Sequence, residues 1–121
     1  MAKTIMVVDD SSSVRYVVKA ALKGAGYEVV EACDGQEALL KLPEQKVDLI
    51  VSDVNMPKMD GIRLVKEVKK LPDYQSIPVF LLTSNDEQEK IKEGKAAGAQ
   101  AWIIKPFEPT KFLKMVSNLI Q

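Results

Sequence analysis

The sequence predicts one α/β domain spanning residues 1–121, with a flavodoxin-like (βα)5 architecture and a doubly wound parallel sheet. Strand-like and helix-like segments alternate five times without an internal repeat, which is typical of a parallel sheet with helices on both faces. Segments such as Ile5–Val8 are continuously apolar, as expected of strands that are buried on both faces. The chain length also fits a single domain.

The first strand, Thr4–Val8, is followed by three serines that can cap a helix. Gly24 and Gly26 indicate where that first helix ends. The more polar segment Glu28–Ala32 is expected to form an edge strand. It alone ends without a reactive group, which favours the strand order 2-1-3-4-5 because that order puts the second strand at an edge.

The second helix is expected to begin at a capping box of Asp34 and Glu37 and to end at Pro43. Residues 47–52 are expected to form the third strand, and residues 55–61 form a loop rich in turn formers. An amphipathic third helix follows this loop.

The third helix is expected to end near Pro72, and the fourth strand, 79–82, begins after Pro78. The fifth strand is expected at 101–104. Pro109 suits the first turn of the last helix.

The fourth helix is unusual. Asn85 and Gln88 form a capping signal, but Ile91 is the only large apolar residue between 86 and 97. Gly94 lies in the middle of the helix, at a cost of about 1 kcal/mol relative to alanine. The sequence leaves two interpretations open: a weakly anchored helix that moves, and a solvated surface helix.

Polar residues stand where the hydrophobic strands end: Asp9 and Asp10, Asp53, Thr83 and Lys105. Because the carboxyl ends of parallel strands meet at one edge of a sheet, these side chains are expected to share a crevice. Carboxylate oxygens with open positions for water and phosphate suit Mg²⁺. Asp53 is then either a third metal ligand or a nucleophile that forms an acyl phosphate.

Each of these residues also has a simpler interpretation when it is taken alone. An aspartate after the first strand can cap the next helix, a lysine is usually a solvated charge, and a threonine at a strand end is usually a turn residue. Their occurrence together at neighbouring strand ends favours the site.

Composition excludes several classes of function. The chain has no histidine, so histidine bases and histidine–metal sites are excluded, and 17 basic against 17 acidic residues leave no basic footprint for nucleic acid. The single cysteine, Cys33, cannot form an internal disulfide, and neither a signal peptide nor a membrane span is evident. We expect a cytoplasmic monomer without membrane contact.

Four segments resemble, in order and spacing, the receiver domains of two-component response regulators, and within that family the single-domain, CheY-like chemotaxis type. The segments are 7–11, 52–57 with Asp60 and Gly61, 82–84, and 102–107. The strand order expected above is also a known example from this family.

The resemblance implies that Asp53 accepts a phosphoryl group from a histidine of a sensor kinase. It implies that Asp10 and Asp53 bind Mg²⁺ directly together with the backbone carbonyl of Asn55, and that Asp9 reaches the ion through water. Lys105 would pair with the phosphoryl group.

The same resemblance implies that Thr83 moves to hydrogen-bond the phosphoryl group, that Ser84 is the small residue that admits the phosphodonor, and that the peptide between Lys105 and Pro106 is cis. The family's switch position, usually Tyr or Phe, is Trp102 here. Because indole has a donor and no acceptor, we do not expect a tyrosine-type switch to transfer unchanged.

Asn55 and Asn85 occupy positions that tune the lifetime of the phosphoryl group in the family. Neither is an acid or a base, so no side-chain base for the attacking water is expected at either position.

By resemblance, the chain is a stand-alone response regulator with no output domain after the last helix. It is not a conventional enzyme, although it would catalyse its own phosphoryl transfer and autodephosphorylation. Phosphorylation would switch the surface of the fourth helix, fifth strand and fifth helix to bind a partner, with the flagellar motor switch as the expected target and a phosphatase as a further partner. The alternative is a phosphate sink or a phosphorelay shuttle that does not act on a motor.

Two other classes fit poorly. A haloacid dehalogenase-type phosphohydrolase needs an acid two residues after its nucleophile, where this chain has Asn55. A flavin carrier needs a phosphate-cradling loop after the first strand, where Asp9 and Asp10 would repel the phosphate. No G-x-G-x-x-G motif supports dinucleotide binding.

Overall fold

Five parallel strands lie in the order β2-β1-β3-β4-β5, which confirms the predicted flavodoxin-like topology. The structure is a computed structural model, and it describes residues 2–83, 88–104 and 108–120. The strands are β1 Thr4–Val8, β2 Glu28–Ala32, β3 Leu49–Asp53, β4 Val79–Thr83 and β5 Ala101–Ile104. The helices are α1 Ser12–Gly24, α2 Gly35–Lys41, α3 Gly61–Lys70, α4 Gln88–Ala97 and α5 Pro109–Leu119, with a 3₁₀ turn at Leu42–Glu44.

Side chains alternate across the sheet, so each strand contributes to two cores. On one face, Met6 and Val8 pack with α2 and α3 residues such as Val65. On the other face, Ile5 and Val7 pack with residues of α1 and α5. Burial on both faces explains why β1 is apolar without a polar–apolar alternation.

The helix starts follow their capping residues. Ser11 accepts a hydrogen bond from the Val14 amide at the start of α1, and Asp34 accepts one from the Glu37 amide at the start of α2. The carboxylate of Glu37 completes this capping box by accepting the amide of Cys33, the residue before the cap. Both starts therefore agree with the sequence.

α2 and α3 each end two residues before the proline that the sequence indicated. α2 ends at Lys41, and Pro43 lies inside the 3₁₀ turn that follows it. α3 ends at Lys70, with Leu71 as its C-cap. Leu71, the residue before Pro72, is extended, as expected of a residue that precedes proline. Leu42, the residue before Pro43, keeps helical geometry, so α2 passes directly into the 3₁₀ turn.

β3 begins at Leu49 and not at residue 47, and it includes Asp53. Asp48 explains the later start, because its side chain accepts the Thr4 amide at 2.8 Å in place of a strand carbonyl. Val47 is still buried, which is why the sequence suggested a strand there. β4 likewise extends to Thr83, so Asp53 and Thr83 are the last ladder residues of their strands.

α4 approaches the sheet through a glycine. Gly94 is the buried residue of this helix, whereas Ile91 is only half-buried. A Cβ atom at Gly94 would lie 2.6 Å from Leu81 Cδ1 on β4. The glycine that weakens the helix is therefore what lets α4 pack closely on β4. The capping residue predicted for α4, Asn85, lies outside the described residues.

Candidate functional site

Three carboxylates meet at the carboxyl ends of β1 and β3. One carboxylate oxygen from each of Asp9, Asp10 and Asp53 lies within 4.8 Å of the other two. Asp9 and Asp53 are 1% and 5% exposed, while Asp10 is open to solvent. The structure thus brings these three side chains together in one crevice, as predicted.

The donor set fits a hard divalent cation. Burial of a carboxylate is costly unless opposite charge or hydrogen bonds compensate, and three carboxylates this close also repel one another. A divalent cation would reduce this repulsion. Because Asp10 is exposed, the site is open to solvent, so an ion such as Mg²⁺ could keep water at its remaining coordination positions.

The backbone around Asp9 is fixed by the end of β2 and by α1. The Asp9 amide donates to Ala32 O at 3.1 Å, and Arg15 Nη1 donates to Asp9 O at 2.6 Å. Asp9 Oδ1 accepts the amide of Ser11 at 2.9 Å. Sequence reasoning missed Arg15. A usable signal was its place near a helix N-terminus, where a cation opposes the helix dipole.

Glycine sets the close approach of α3 to Asp53. A side chain at Gly61 would overlap the Asp53 carbonyl, and the Gly61 amide donates to Val54 O at 2.9 Å. Asp60 caps α3 by accepting the Arg63 amide at 2.8 Å. The turn before it needs a left-handed residue, and Lys58 supplies it with φ +64°.

Asn55, which belongs to the same connection, follows Asp53 by two residues and is exposed.

Thr83 contributes a hydroxyl at the end of β4. The residue is 1% exposed, and its Oγ1 has no hydrogen-bond partner within residues 2–83, 88–104 and 108–120. A buried hydroxyl without a hydrogen bond lowers the free energy of unfolding by about 1–3 kcal/mol. An acceptor brought next to it would recover that cost.

Trp102 lies on β5, the edge strand next to β4, and is half-buried. The ammonium of Lys95 on α4 lies 5.2 Å from the centre of its ring. Ile103 is half-buried as well, and Ile104 is exposed. Trp102 packs against the core on one face of the sheet and Ile103 against the core on the other, and both stay partly exposed on the edge strand.

The remaining predicted site residues fall outside the described part of the chain. They are Ser84, Asn85, Lys105 and Pro106. Their roles, and the cis peptide, stay predictions. Among the described residues no helix is both long enough and apolar enough to span a bilayer.

Two relatives compare with the chain over its whole length. The alkaline phosphatase synthesis transcriptional regulatory protein PhoP of Bacillus subtilis is 37% identical over 121 residues, which cover 100% of this chain and 50% of PhoP. The chain thus spans about half of that relative. Chemotaxis protein CheY of Thermotoga maritima is 34% identical over 120 residues, which cover 98% of both chains.

Solved structures show the same fold. Chemotaxis protein CheY4 of Vibrio cholerae matches with a TM-score of 0.92 and 43% identity, covering 99% of this chain and 100% of CheY4. A sensor histidine kinase receiver domain from Pseudomonas aeruginosa, with a magnesium ion in its active site cleft, matches with a TM-score of 0.91 and 26% identity over 99% of this chain and 98% of that one. Residues 5–117 match the sequence model of the response regulator receiver domain, and the chain belongs to that family.

Proposed function

We propose that this chain is a receiver that accepts a phosphoryl group on Asp53 from a phosphohistidine of a sensor kinase. The observation that carries this proposal is the cluster of Asp9, Asp10 and Asp53, whose carboxylate oxygens lie within 4.8 Å of one another. The proposal includes a cytoplasmic location, because the kinase needs ATP to form its phosphohistidine.

The transfer forms one bond and breaks one. An Asp53 carboxylate oxygen attacks phosphorus, the P–N bond to the kinase histidine breaks, and the imidazole nitrogen leaves with the electron pair and takes up a proton. The product is an aspartyl phosphate, and later attack by water would return the carboxylate and release phosphate. Neither Asn55 nor Asn85 offers a base for that water.

Asp10, Asp53 and the Asn55 carbonyl would hold Mg²⁺ directly, and Asp9 would hold it through water. When bound, the ion neutralises negative charge on the phosphoryl oxygens. The magnesium ion in the related Pseudomonas aeruginosa receiver supports this assignment.

Thr83 and Lys105 would complete the phosphoryl site. The buried Thr83 hydroxyl, which has no partner in the described part of the chain, suits a new acceptor. Lys105 would pair with the phosphoryl oxygens, held by a cis peptide to Pro106.

Movement of Thr83 would free space for Trp102 and change the surface formed by α4, β5 and α5. α4 is mostly exposed and packs on β4 at Gly94, so little buried area opposes its shift. Lysines on this surface favour an acidic partner segment: the exposed Lys92, Lys95, Lys111 and Lys114 and the half-buried Lys90.

The expected output is the flagellar motor switch in chemotaxis. Chemotaxis proteins CheY and CheY4, which are 34% and 43% identical to this chain, support this output. The alternative remains a phosphate sink or a relay shuttle, with the same chemistry at Asp53.

The test has two parts. Incubation with a phosphorylated chemotaxis histidine kinase and Mg²⁺ should transfer label to the wild type and not to Asp53→Asn, and label on Asp53→Asn would refute the acceptor assignment. The affinity for the N-terminal segment of a flagellar motor switch protein should then increase only when Mg²⁺ and beryllofluoride are both present. The fluorescence of Trp102 is the readout of this binding. A fluorescence response without binding would favour the sink or relay.

A further inference from the structure

The edge strand β2 supplies no reactive group, yet its end is tied to the acidic crevice. The amide of Asp9 donates to Ala32 O on β2, and the carbonyl of Asp9 accepts from Arg15 Nη1 on α1. Both sides of the Asp9 backbone are thus held by groups outside β1.

Arg15 is itself held by β2. Its Nε donates to Glu31 Oε1 at 3.3 Å, and Lys19 Nζ donates to Glu31 Oε2 at 2.9 Å. The Lys19 hydrogen bond keeps the pKa of Glu31 below its ordinary value, so the carboxylate stays charged near neutral pH. Lys41 Nζ donates to Glu31 O and ties the same residue to α2.

The Asp9 carbonyl oxygen belongs to the peptide group that joins Asp9 to Asp10. That group is planar, so a guanidinium that fixes the oxygen also fixes the direction in which Asp10 leaves the strand. Asp10 is the exposed member of the cluster and has no buried packing to orient it.

We infer that Arg15, clamped by Glu31, is a positioning residue that orients the Asp9–Asp10 segment for binding of a divalent cation. The inference rests on the magnesium site proposed above. It assigns a role to three contacts between α1, β2 and the acidic crevice that the phosphoryl chemistry does not use.

A competing effect has the opposite sign. The guanidinium places a positive charge against the Asp9 carbonyl, and a positive charge near the cluster weakens binding of another cation. If Arg15 acts mainly as a charge, its removal strengthens Mg²⁺ binding, and if it positions the ligands, its removal weakens Mg²⁺ binding. The sign of the change therefore decides between the two.

The experiment is a MgCl₂ titration of the full chain without any phosphodonor, followed by the amide NMR shifts of the residues around the acidic crevice. Loss of an outer partner of a metal ligand typically weakens metal binding by about 10- to 100-fold, and we expect a loss in this range for Arg15→Ala. Unchanged or tighter binding would overturn the inference. The NMR spectrum also reports whether the variant is folded.

Arg15→Lys keeps the positive charge but cannot donate from two separated nitrogens, so it should also bind Mg²⁺ more weakly. Wild-type affinity in this variant would exclude the two-point clamp. Should Arg15→Ala fail to fold, Arg15→Lys and Glu31→Gln carry the test.

Glu31→Gln should weaken Mg²⁺ binding in the wild type and have no further effect in Arg15→Ala, because it acts through the arginine. An equal effect in both backgrounds would show independent action and reject the clamp.

Arg63→Ala is the matched control, since Arg63 forms a comparable pair with Glu67 on α3 at 3.0 Å, and it should bind Mg²⁺ as the wild type does. Absence of Mg²⁺-dependent shifts in the wild type would instead reject the magnesium site itself.

Discussion

At the scale of single residues, the site combines buried polar groups whose surroundings differ. Ser52 and Thr83 are both buried hydroxyl residues near the ends of neighbouring strands. Ser52 Oγ donates to Asp53 O at 2.9 Å, whereas Thr83 Oγ1 has no partner among the residues that the structure describes. The two hydroxyls should therefore contribute to stability with opposite signs.

Thr83→Val should raise the free energy of unfolding of the unphosphorylated protein by about 1 kcal/mol, because valine has the same shape and no hydroxyl to leave unsatisfied. Ser52→Ala should lower it by about 0.5–1.5 kcal/mol through loss of a hydrogen bond. Urea unfolding measures both values. A less stable Thr83→Val would mean that the hydroxyl has a partner in the native state.

At the scale of elements, single residues of α4 and β2 make contacts that position these elements against their neighbours. α4 rests on β4 at Gly94, where a methyl group would meet Leu81 Cδ1 at 2.6 Å. β2 is an edge strand whose Glu31 binds Arg15 and Lys19 of α1. Substitution at Gly94 and at Glu31 therefore tests these two contacts.

Gly94→Ala gains about 1 kcal/mol of helix propensity, but overpacking of a core costs about 1–3 kcal/mol. We expect a net loss of stability of up to about 2 kcal/mol. Gly24→Ala is the control, because nothing lies within 4 Å of its Cβ position, and it should be stabilising. Combination with Leu81→Val should reduce the loss at Gly94, and additivity in this double mutant would contradict direct packing.

Glu31 should make stability depend on acidic pH. The Lys19 hydrogen bond lowers the pKa of Glu31 from its ordinary value of 4.5. A lowered folded-state pKa gives stability that is present above pH 4.5 and is lost as the pH falls through the folded value. The Tm of the wild type should therefore fall more than that of Glu31→Gln between pH 6 and pH 3. The difference in Tm should be small, because the Glu31 side chain is 36% exposed. Parallel Tm curves for the two proteins would show that Glu31 does not contribute to the pH dependence of stability.

At the scale of the whole molecule, the acidic crevice opposes folding in the absence of a cation. Two unit charges about 4 Å apart repel by about 4 kcal/mol at an effective dielectric constant of about 20. Part of that repulsion is offset by solvent and by nearby hydrogen bonds such as that of Asp9 with Ser11.

Asp53→Asn should accordingly raise the Tm in metal-free buffer and abolish most of the further rise that MgCl₂ gives the wild type. At ten times the dissociation constant, a ligand adds about 1.4 kcal/mol to the stability of the native state. Thermal unfolding with and without MgCl₂ measures both effects. An equal rise with MgCl₂ in the two proteins would place the ion elsewhere.

Much of this architecture followed from the sequence. Buried parallel strands and polar strand ends predicted the meeting of Asp9, Asp10 and Asp53, because the carboxyl ends of parallel strands lie at one edge of a sheet. The strand order was favoured by the polar second strand together with the known example from the family. The predicted start of β3 at residue 47 was wrong, because Val47 is buried but does not pair with a neighbouring strand. The Arg15 contact was missed because a side chain that binds a backbone carbonyl outside its own helix leaves no periodic signal, and the position of Arg15 near the helix N-terminus was not used.

Gly94 was a weak point in the helix when judged by propensity alone, and its reason lies in Leu81, thirteen positions earlier in the chain. Local preferences contain no information about a neighbour on another element. The contact between Gly94 and Leu81 explains why a glycine stands in the middle of α4. Movement of α4 stays a proposal.

Leu81 also limits the order in which this sequence can change over time. Its Cδ2 lies 3.1 Å from the Cβ position of Gly61, and its Cδ1 lies 2.6 Å from that of Gly94. A larger residue at position 94 fits best after a smaller residue has appeared at position 81, and that intermediate carries a cavity until the second substitution fills it. At position 61 the backbone carbonyl of Asp53 blocks a side chain whatever stands at position 81. Lineages that descend from this chain should therefore exchange positions 81 and 94 as a pair, with position 81 changing first, and keep glycine at position 61.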